Sequence, residues 1–152
     1  MRFVDEAVIT VKAGKGGNGC LSFRREKFMP KGGPDGGNGG DGGSVYGVGT
    51  NRLLSLYDFR LKRLYEAQNG QGGMGSQCDG RKGEDLVLEL PLGTQLYERT
   101  PEGEVLFADL SEPDEPVLLA RGGRGGKGNE HFKSSTMRAP RFAQKGEPGE
   151  ER

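Results

Sequence analysis

The strongest trace of nucleotide chemistry in this sequence is the string GGRGGKG at 122–128. A phosphate-binding loop has a glycine, four further residues and then Gly-Lys-Ser or Gly-Lys-Thr. Its backbone amides and lysine hold phosphates, and the hydroxyl binds magnesium. Gly126 and Lys127 supply the central pair, but Arg121 occupies the first glycine position and Gly128 the hydroxyl position. No amphipathic helical pattern follows, so the sequence argues against GTP or ATP binding by this loop.

The sequence lacks the residues that a metal site or a nucleophilic catalytic site needs. The only two cysteines, Cys20 and Cys78, are far apart in the sequence, and His131 is the single histidine. Zinc sites in proteins use closely spaced Cys and His ligands. We therefore expect neither a metal site nor a catalytic residue in this chain. Beside Phe132 and Lys133, His131 is interpreted as a surface or RNA-contacting side chain.

Positive charge and glycine occur together at several places, and this combination suits RNA. Lysine and arginine neutralise phosphates, while glycine loops without side-chain bulk can enter narrow grooves. Structured RNA is read largely by shape and backbone. Ordinary surface charge that keeps an apolar-poor domain in solution is the alternative, and composition alone does not separate the two.

The net charge of zero hides an uneven distribution along the chain. Residues 84–115 contain ten acids and a single base, Arg99, which leaves 21 bases and 12 acids elsewhere. The basic part can face a polyanion. The acidic segment is interpreted as a solvated face or, alternatively, as a contact for a basic protein.

Glycine recurs with a three-residue step in four windows, at 14–19, 32–43, 70–83 and 122–128. Three residues per turn is the period of the polyproline II helix, and glycine lets neighbouring backbones approach closely. The spacing predicts short polyproline-type segments packed side by side. A flexible linker is the alternative, although the regular step and the charged fillers argue against it. The structural glycines of the second window are Gly33, Gly36, Gly37, Gly39, Gly40, Gly42 and Gly43.

The hydrophobic core must come from the segments between these windows. Alternating and apolar runs predict strands and hence a mainly β fold. Pro91 predicts a strand edge or end, and Gly103 a hairpin turn. A short helical turn is expected near 52–57, followed by strand. The predicted strands are 3–11, 44–48, 84–92, 94–98, 104–108 and 116–120.

Few thiols and the absence of a signal peptide or long apolar run predict a reduced, cytoplasmic setting without a membrane span. We also expect a monomer.

Along essentially its whole length the chain resembles the N-terminal domain of the Obg (CgtA) family of GTPases. The strings that carry this resemblance are FVDEAVITVKAGKGGNGCLSFRREKFMPKGGPDGGNGGDGGSVY at 3–46, AQNGQGGMGSQCDGRKGEDLVLELPLGT at 67–94, ARGGRGGKGN at 120–129 and FKSSTMRAPRFAQKGEPGEER at 132–152.

The resemblance implies an Obg fold over residues 1–152. In this fold a β-barrel or sandwich base carries a bundle of six glycine-rich, left-handed polyproline II helices. It also implies a parent protein that acts in assembly of the large (50S) ribosomal subunit and in growth and stress control. The parent would bind GTP or GDP and Mg²⁺ in a GTPase domain expected after residue 152. This chain would itself be non-enzymatic and without a cofactor.

The implied partner is the large ribosomal subunit, with its 23S rRNA and ribosomal proteins, near the peptidyl-transferase centre. Stress-regulatory proteins are further possible partners, and a protein-interaction module is the alternative function. Arg24 and Arg25 could instead tie polyproline segments together through backbone carbonyls. The residues implied in rRNA contact are Lys15, Arg24, Arg25, Lys27, Lys31, Arg81, Lys82, Arg124 and Lys127.

Overall fold

The computed structural model describes residues 6–24, 32–53, 55–134 and 137–152. These residues are mainly extended, with far more strand than helix, as the sequence predicts. The elements in chain order are β1 (Thr10–Lys12), β2 (Val45–Thr50), α1 (Tyr57–Leu61), β3 (Leu64–Glu66), β4 (Leu86–Pro91), β5 (Gln95–Thr100), β6 (Gly103–Asp109), β7 (Val117–Ala120) and a 3-10 helix (Asn129–Phe132).

The seven strands and α1 form the part of the molecule that we call the β base. Strand β2 lies between β4, to which it is parallel, and β7, to which it is antiparallel. Strands β1 and β3 pair in parallel, and β5 and β6 form an antiparallel hairpin. The core of the base lies entirely outside the four glycine windows, as expected from their lack of apolar side chains. Its buried members are Val11, Val45, Phe59, Ala67, Leu88, Leu90, Leu110, Leu119 and Ala120.

The strand predictions near Pro91 and Gly103 are confirmed. Pro91 is the last residue of β4, and β4 is the edge of its sheet. Gly103 has a φ of 131°, and it pairs with Thr100 across the β5–β6 turn. The predicted strand at 3–11 is shorter and later, at Thr10–Lys12, and its first three positions lie outside the described residues.

The predicted helical turn at 52–57 is wrong in position, because α1 begins only at Tyr57. Burial of Phe59 explains the position of α1. Its side chain is 8% exposed, and its ring lies 5.5 Å from that of Tyr65 on β3. Burial, and then the charge of Asp58, raise the pKa of the Tyr65 phenol.

Six extended segments rich in glycine pack side by side on the β base, and we call them together the glycine bundle. The window at 70–83 contributes two of them, because a turn at 75–77 divides it. In that turn Ser76 and Gln77 have φ of 59° and 60°. The sixth segment has only two glycines and no window. In order, segments 1 to 6 cover 13–20, 35–44, 67–75, 78–85, 120–129 and 143–151.

Backbone hydrogen bonds join these segments in a three-residue step. The N–H groups of Gly14, Gly17 and Cys20 donate to carbonyl oxygens of segment 2, at 2.8, 2.8 and 2.9 Å. The N–H groups of residues 13, 16 and 19 donate to segment 6 with the same step. Segments 1 and 2 each bond to four other segments, whereas the outer four bond to two or three. The first two segments are therefore the centre of the bundle.

Polar side chains accept hydrogen bonds from many of the backbone N–H groups that do not donate to another backbone carbonyl. Asn38 accepts the N–H of Gly128 at 2.9 Å, and Asp41 accepts that of Gly125 at 2.8 Å. Asn18 accepts the N–H of Gly146 at 3.0 Å. A buried amide without a partner is costly, so these side chains complete the bundle rather than merely filling the gaps between glycines.

Candidate nucleic-acid interface

Glycine is required wherever the bundle backbones cross closely. A Cβ atom added at Gly39 would lie well under 3.0 Å from the carbonyl of Gly17, which is closer than real Cβ atoms approach. Gly33 differs, because a Cβ there would meet only Lys133 Nζ, at 3.8 Å, so close packing does not explain that glycine. The same obstruction by a backbone oxygen as at Gly39 occurs at Gly36, Gly37, Gly40, Gly42 and Gly43.

Since the inward positions belong to glycine, the long side chains of the bundle point outward. Every described member of the predicted RNA-contacting set is exposed. No ion pair within 4.0 Å joins any of them to an acid in the described residues. These members are Lys15, Arg24, Arg81, Lys82, Arg124 and Lys127, whereas Arg25, Lys27 and Lys31 lie outside the described residues.

The cations stand on different segments rather than in one row. Arg81 and Lys82 belong to segment 4, and Arg124 and Lys127 to segment 5. Both segments bond to segment 2, but no hydrogen bond joins segment 4 to segment 5 in the part of the chain described. Lys15 projects from segment 1. The bundle therefore presents positive charge on several sides.

Arginine does tie backbone carbonyls in this protein, but at positions other than Arg24. The backbone N–H of Arg24 donates to the oxygen of Gly33 at 2.8 Å, and the backbone oxygen of Arg24 accepts the N–H of Gly32 at 3.0 Å. Among the described residues its guanidinium makes no such tie. Arg152 donates from Nε to the oxygen of Leu119 at 2.8 Å, and its guanidinium lies 4.4 Å from the Phe107 ring centre.

The GGRGGKG string is unsuited to phosphate because its amides are already used. Gly123 and Gly126 donate to carbonyls of segment 1, and Lys127 donates to Gln144 Oε1 at 3.2 Å. Arg124 is the exception, since every other residue from 122 to 128 donates its N–H to a protein oxygen. The residues of this string do not fit GTP with Mg²⁺, as the sequence argument anticipated.

Two buried polar side chains organise the end of the bundle farthest from the base, and the sequence analysis missed both. Asp35 is 7% exposed, and its Oδ2 accepts the N–H of Ser76 at 3.0 Å, which fixes the 75–77 turn. Asn129 is fully buried. Asp35 precedes Gly36 inside the second window, and Asn129 directly follows Gly128 at the end of the fourth window, so a position beside glycine was the available signal.

Comparison with known proteins identifies the family. A family model described as GTP1/OBG matches residues 4–152. The chain belongs to this family.

Its similar relatives are proteins named GTPase Obg. The one from Desulfovibrio desulfuricans is 82% identical over 151 residues, which are 99% of this chain and 41% of the relative. The one from Nitratidesulfovibrio vulgaris strain DP4 is 81% identical, over 100% of this chain and 42% of the relative. That of Lawsonia intracellularis is 66% identical, over 100% and 42%. The chain thus spans about two fifths of the length of these relatives.

Within residues 6–24, 32–53, 55–134 and 137–152, no helix is long and apolar enough to cross a membrane. In the same ranges no three His, Cys, Asp or Glu side chains are grouped as metal ligands.

Proposed function

We propose that this chain is the non-catalytic ribosome-docking domain of an Obg-family GTPase. The parent acts in the cytoplasm in assembly of the large ribosomal subunit and in growth and stress control. GTP or GDP and Mg²⁺ bind in a separate GTPase domain that follows residue 152 in the parent. The proposal rests first on family membership, and the relatives' name supports a GTP-hydrolysing parent.

The glycine bundle is, in this proposal, a set of six left-handed polyproline II helices. The support is the hydrogen-bond step, because three residues per turn returns the same face of a polyproline II helix to its neighbour. Gly14 and Gly17 donate to the same neighbouring segment one such turn apart. Polyproline II has no internal hydrogen bonds, so its amides are free for this lateral pairing.

The single observation that carries RNA docking is the set of exposed cations without acid partners on the glycine bundle. A polyproline-type segment without inward side chains is thin, and its outward lysines and arginines are free to neutralise phosphates. We assign contact with 23S rRNA near the peptidyl-transferase centre to this surface. The assigned residues on the bundle are Lys15, Arg81, Lys82, Arg124 and Lys127. The proposal also includes Arg24, outside the six segments, and Arg25, Lys27 and Lys31, which lie outside the described residues; the domain docks as a monomer.

A matched pair of charge reversals tests this proposal. Arg81→Glu with Lys82→Glu acts on the bundle, and Lys62→Glu with Arg63→Glu makes the same change at exposed positions of the β base. Binding to purified large subunits is measured by co-sedimentation over a salt series. We expect the bundle variant to lose binding and to show a shallower salt dependence, while the base variant keeps both. Equal behaviour of the two variants would contradict docking through the bundle.

A protein interface is the second candidate function, and the β5–β6 hairpin favours it. Tyr97 and Leu106 are paired across the hairpin, and they are 52% and 54% exposed within the acidic segment 84–115. Among the described residues the outer edges of β5 and β6 have no strand neighbour. Such an edge accepts an extended chain, and its acidic surroundings favour a basic ribosomal or stress-regulatory protein.

Nuclease separates this second function from the first. A partner recovered from RNase-treated extract by the wild type, and lost with Tyr97→Ser and Leu106→Ser, would support the hairpin interface. Recovery that disappears after RNase treatment would instead assign the interaction to RNA.

A further inference from the structure

A group of aromatic rings lies in the loop between segments 5 and 6, of which the structure describes residues 130–134 and 137–142; His131 and Phe142 are exposed and Phe132 is half-buried. The ring centres of Phe132 and Phe142 are 4.7 Å apart, and those of His131 and Phe132 are 5.3 Å apart at an interplanar angle of 88°. Phe142 is 47% exposed, whereas Phe59 in the core of the base is 8% exposed. The Phe142 ring is therefore supported by a neighbouring ring while much of its surface stays open.

Positively charged residues are close to these rings in the sequence. Lys133, Arg138 and Arg141 are exposed, and Glu130 is the only acid in this stretch of the sequence. The guanidinium of Arg141, the sequence neighbour of Phe142, lies 5.8 Å from the centre of the Phe23 ring. Phe142, in a basic stretch of the sequence, differs from Tyr97, a similarly exposed ring in an acidic segment that would repel phosphates.

Asn129 holds the loop in place at its base. Its Oδ1 accepts the N–H of Gly36 at 2.8 Å, and its Nδ2 donates to the oxygens of Ser22 and Pro140 at 2.8 and 3.1 Å. Pro140 is itself fully buried. One amide thus joins both ends of the loop to segment 2, so the rings are positioned before any ligand arrives.

We propose that Phe142, supported by Phe132, is a stacking site for an unpaired nucleobase, with Lys133, Arg138 and Arg141 binding the flanking phosphates. This inference rests on the proposed RNA-docking function and deepens it, because it names the form of RNA recognised. Unpaired bases expose a ring face to an aromatic side chain, whereas bases within a duplex are stacked on one another. The site reads a loop or bulge rather than a helix.

The test compares two RNAs and three variants of the chain. The probes are a 12-nucleotide oligoadenylate with one 2-aminopurine and a fully paired 12-base-pair RNA duplex. Phe142→Ala removes the ring, Phe142→Leu removes the ring face but keeps apolar packing on Phe132, and Leu61→Ala is the control at an exposed apolar side chain of the β base. Affinity for each probe is measured from low to moderate salt, with 2-aminopurine fluorescence as the stacking signal.

We expect both Phe142 variants to weaken oligoadenylate binding roughly 5- to 100-fold and to abolish the 2-aminopurine quenching. The dependence of log Kd on log salt should keep its wild-type slope, because no phosphate contact is lost. Duplex affinity should not change, and Leu61→Ala should behave as wild type throughout.

Some results would overturn the stacking site alone, and others would overturn the proposed RNA docking. Wild-type oligoadenylate affinity in Phe142→Leu, or an equal loss for the duplex and the single strand, would overturn the stacking site. Those results would leave RNA docking intact. Absence of salt-dependent binding of either RNA, and of large subunits, by the wild-type chain would overturn the proposed function itself.

Discussion

The β base and the glycine bundle of this one chain exclude water by opposite means. The base buries apolar side chains, with Val45 and Ala120 at 0% exposure and Leu110 at 2%. The bundle buries backbone, with glycine where chains cross and hydrogen bonds between segments. A chain with only 32% hydrophobic residues can thus extend a rigid structure beyond the reach of its core.

The difference also sets what each region tolerates. An apolar core accepts substitutions that conserve volume. The crossings of the bundle accept no added atom, although its outward positions are free to vary. This separation lets the outward side chains of the bundle be selected for binding while the crossings stay fixed.

The largest effect is expected from a single added carbon at the centre of the bundle. Gly39→Ala should cost about 3 kcal/mol or more, because the new Cβ overlaps the Gly17 carbonyl and cannot be relieved without separating segments. Amide signals of segments 1 and 2 should change or disappear in ¹H–¹⁵N spectra, while those of β2, β4 and β7 remain.

Gly72→Ala is the matched control for this prediction. A Cβ there would meet only the Asn18 oxygen, at 3.6 Å, so the spectrum should stay close to wild type. A bundle undisturbed by Gly39→Ala would show that close backbone packing does not determine these glycines.

A cavity in the base should give the next largest effect. Leu110→Ala should lower the free energy of unfolding by about 2–5 kcal/mol, because the lost methyl groups leave a void in a packed core. Urea unfolding followed by circular dichroism measures it, and Leu61→Ala, at a residue 68% exposed, is the control. Similar losses for both leucines would contradict the assignment of the core to the base.

A smaller effect is expected from one polar filler. Asn38→Ala removes the acceptor for the Gly128 N–H and should cost about 1 kcal/mol. Hydrogen exchange at the Gly128 amide should accelerate more than exchange in the base. Asn51→Ala, at an exposed turn, should leave exchange at Gly128 unchanged, and the same acceleration in both would argue against the filler role.

The smallest effect is a pH dependence confined to the base. Because the pKa of Tyr65 is raised in the folded state by burial and then by Asp58, its contribution to stability is complete below the unfolded pKa of about 10. That contribution is lost as pH rises through the folded pKa. Tyr65→Phe should flatten the fall in Tm between pH 9 and 11, and an identical fall in both proteins would contradict the shift.

Local pattern predicted much of the base and only part of the bundle. The alternation of Leu86, Leu88 and Leu90 with Val87 and Glu89 predicts β4. A strand that buries one face has apolar residues at every second position, so the pattern is visible among neighbouring residues. Lateral pairing is not local. The Gly128 N–H donates to the side chain of Asn38, and these two residues are 90 positions apart in the sequence.

The candidate interface was predictable in composition but not in arrangement. Exposure of Arg81 and Arg124 follows from glycine occupying the inward positions. Their placement on segments that do not bond to each other depends on segment order in the bundle. The anchoring role of Asn129 was not predictable either, since its position beside glycine is shared by exposed polar residues such as Asn18 and Asp41.

The pairing of segment 1 with segment 6 has a consequence for synthesis of the chain. The N–H of Gly19 donates to the oxygen of Gln144, so a partner of the earliest segment is made about 125 residues later. At translation rates of about 5–20 residues per second, that interval is roughly 6 to 25 s. During this time segment 1 leaves the ribosome without one of its four neighbours. The bundle therefore cannot close until segment 6 has been synthesised.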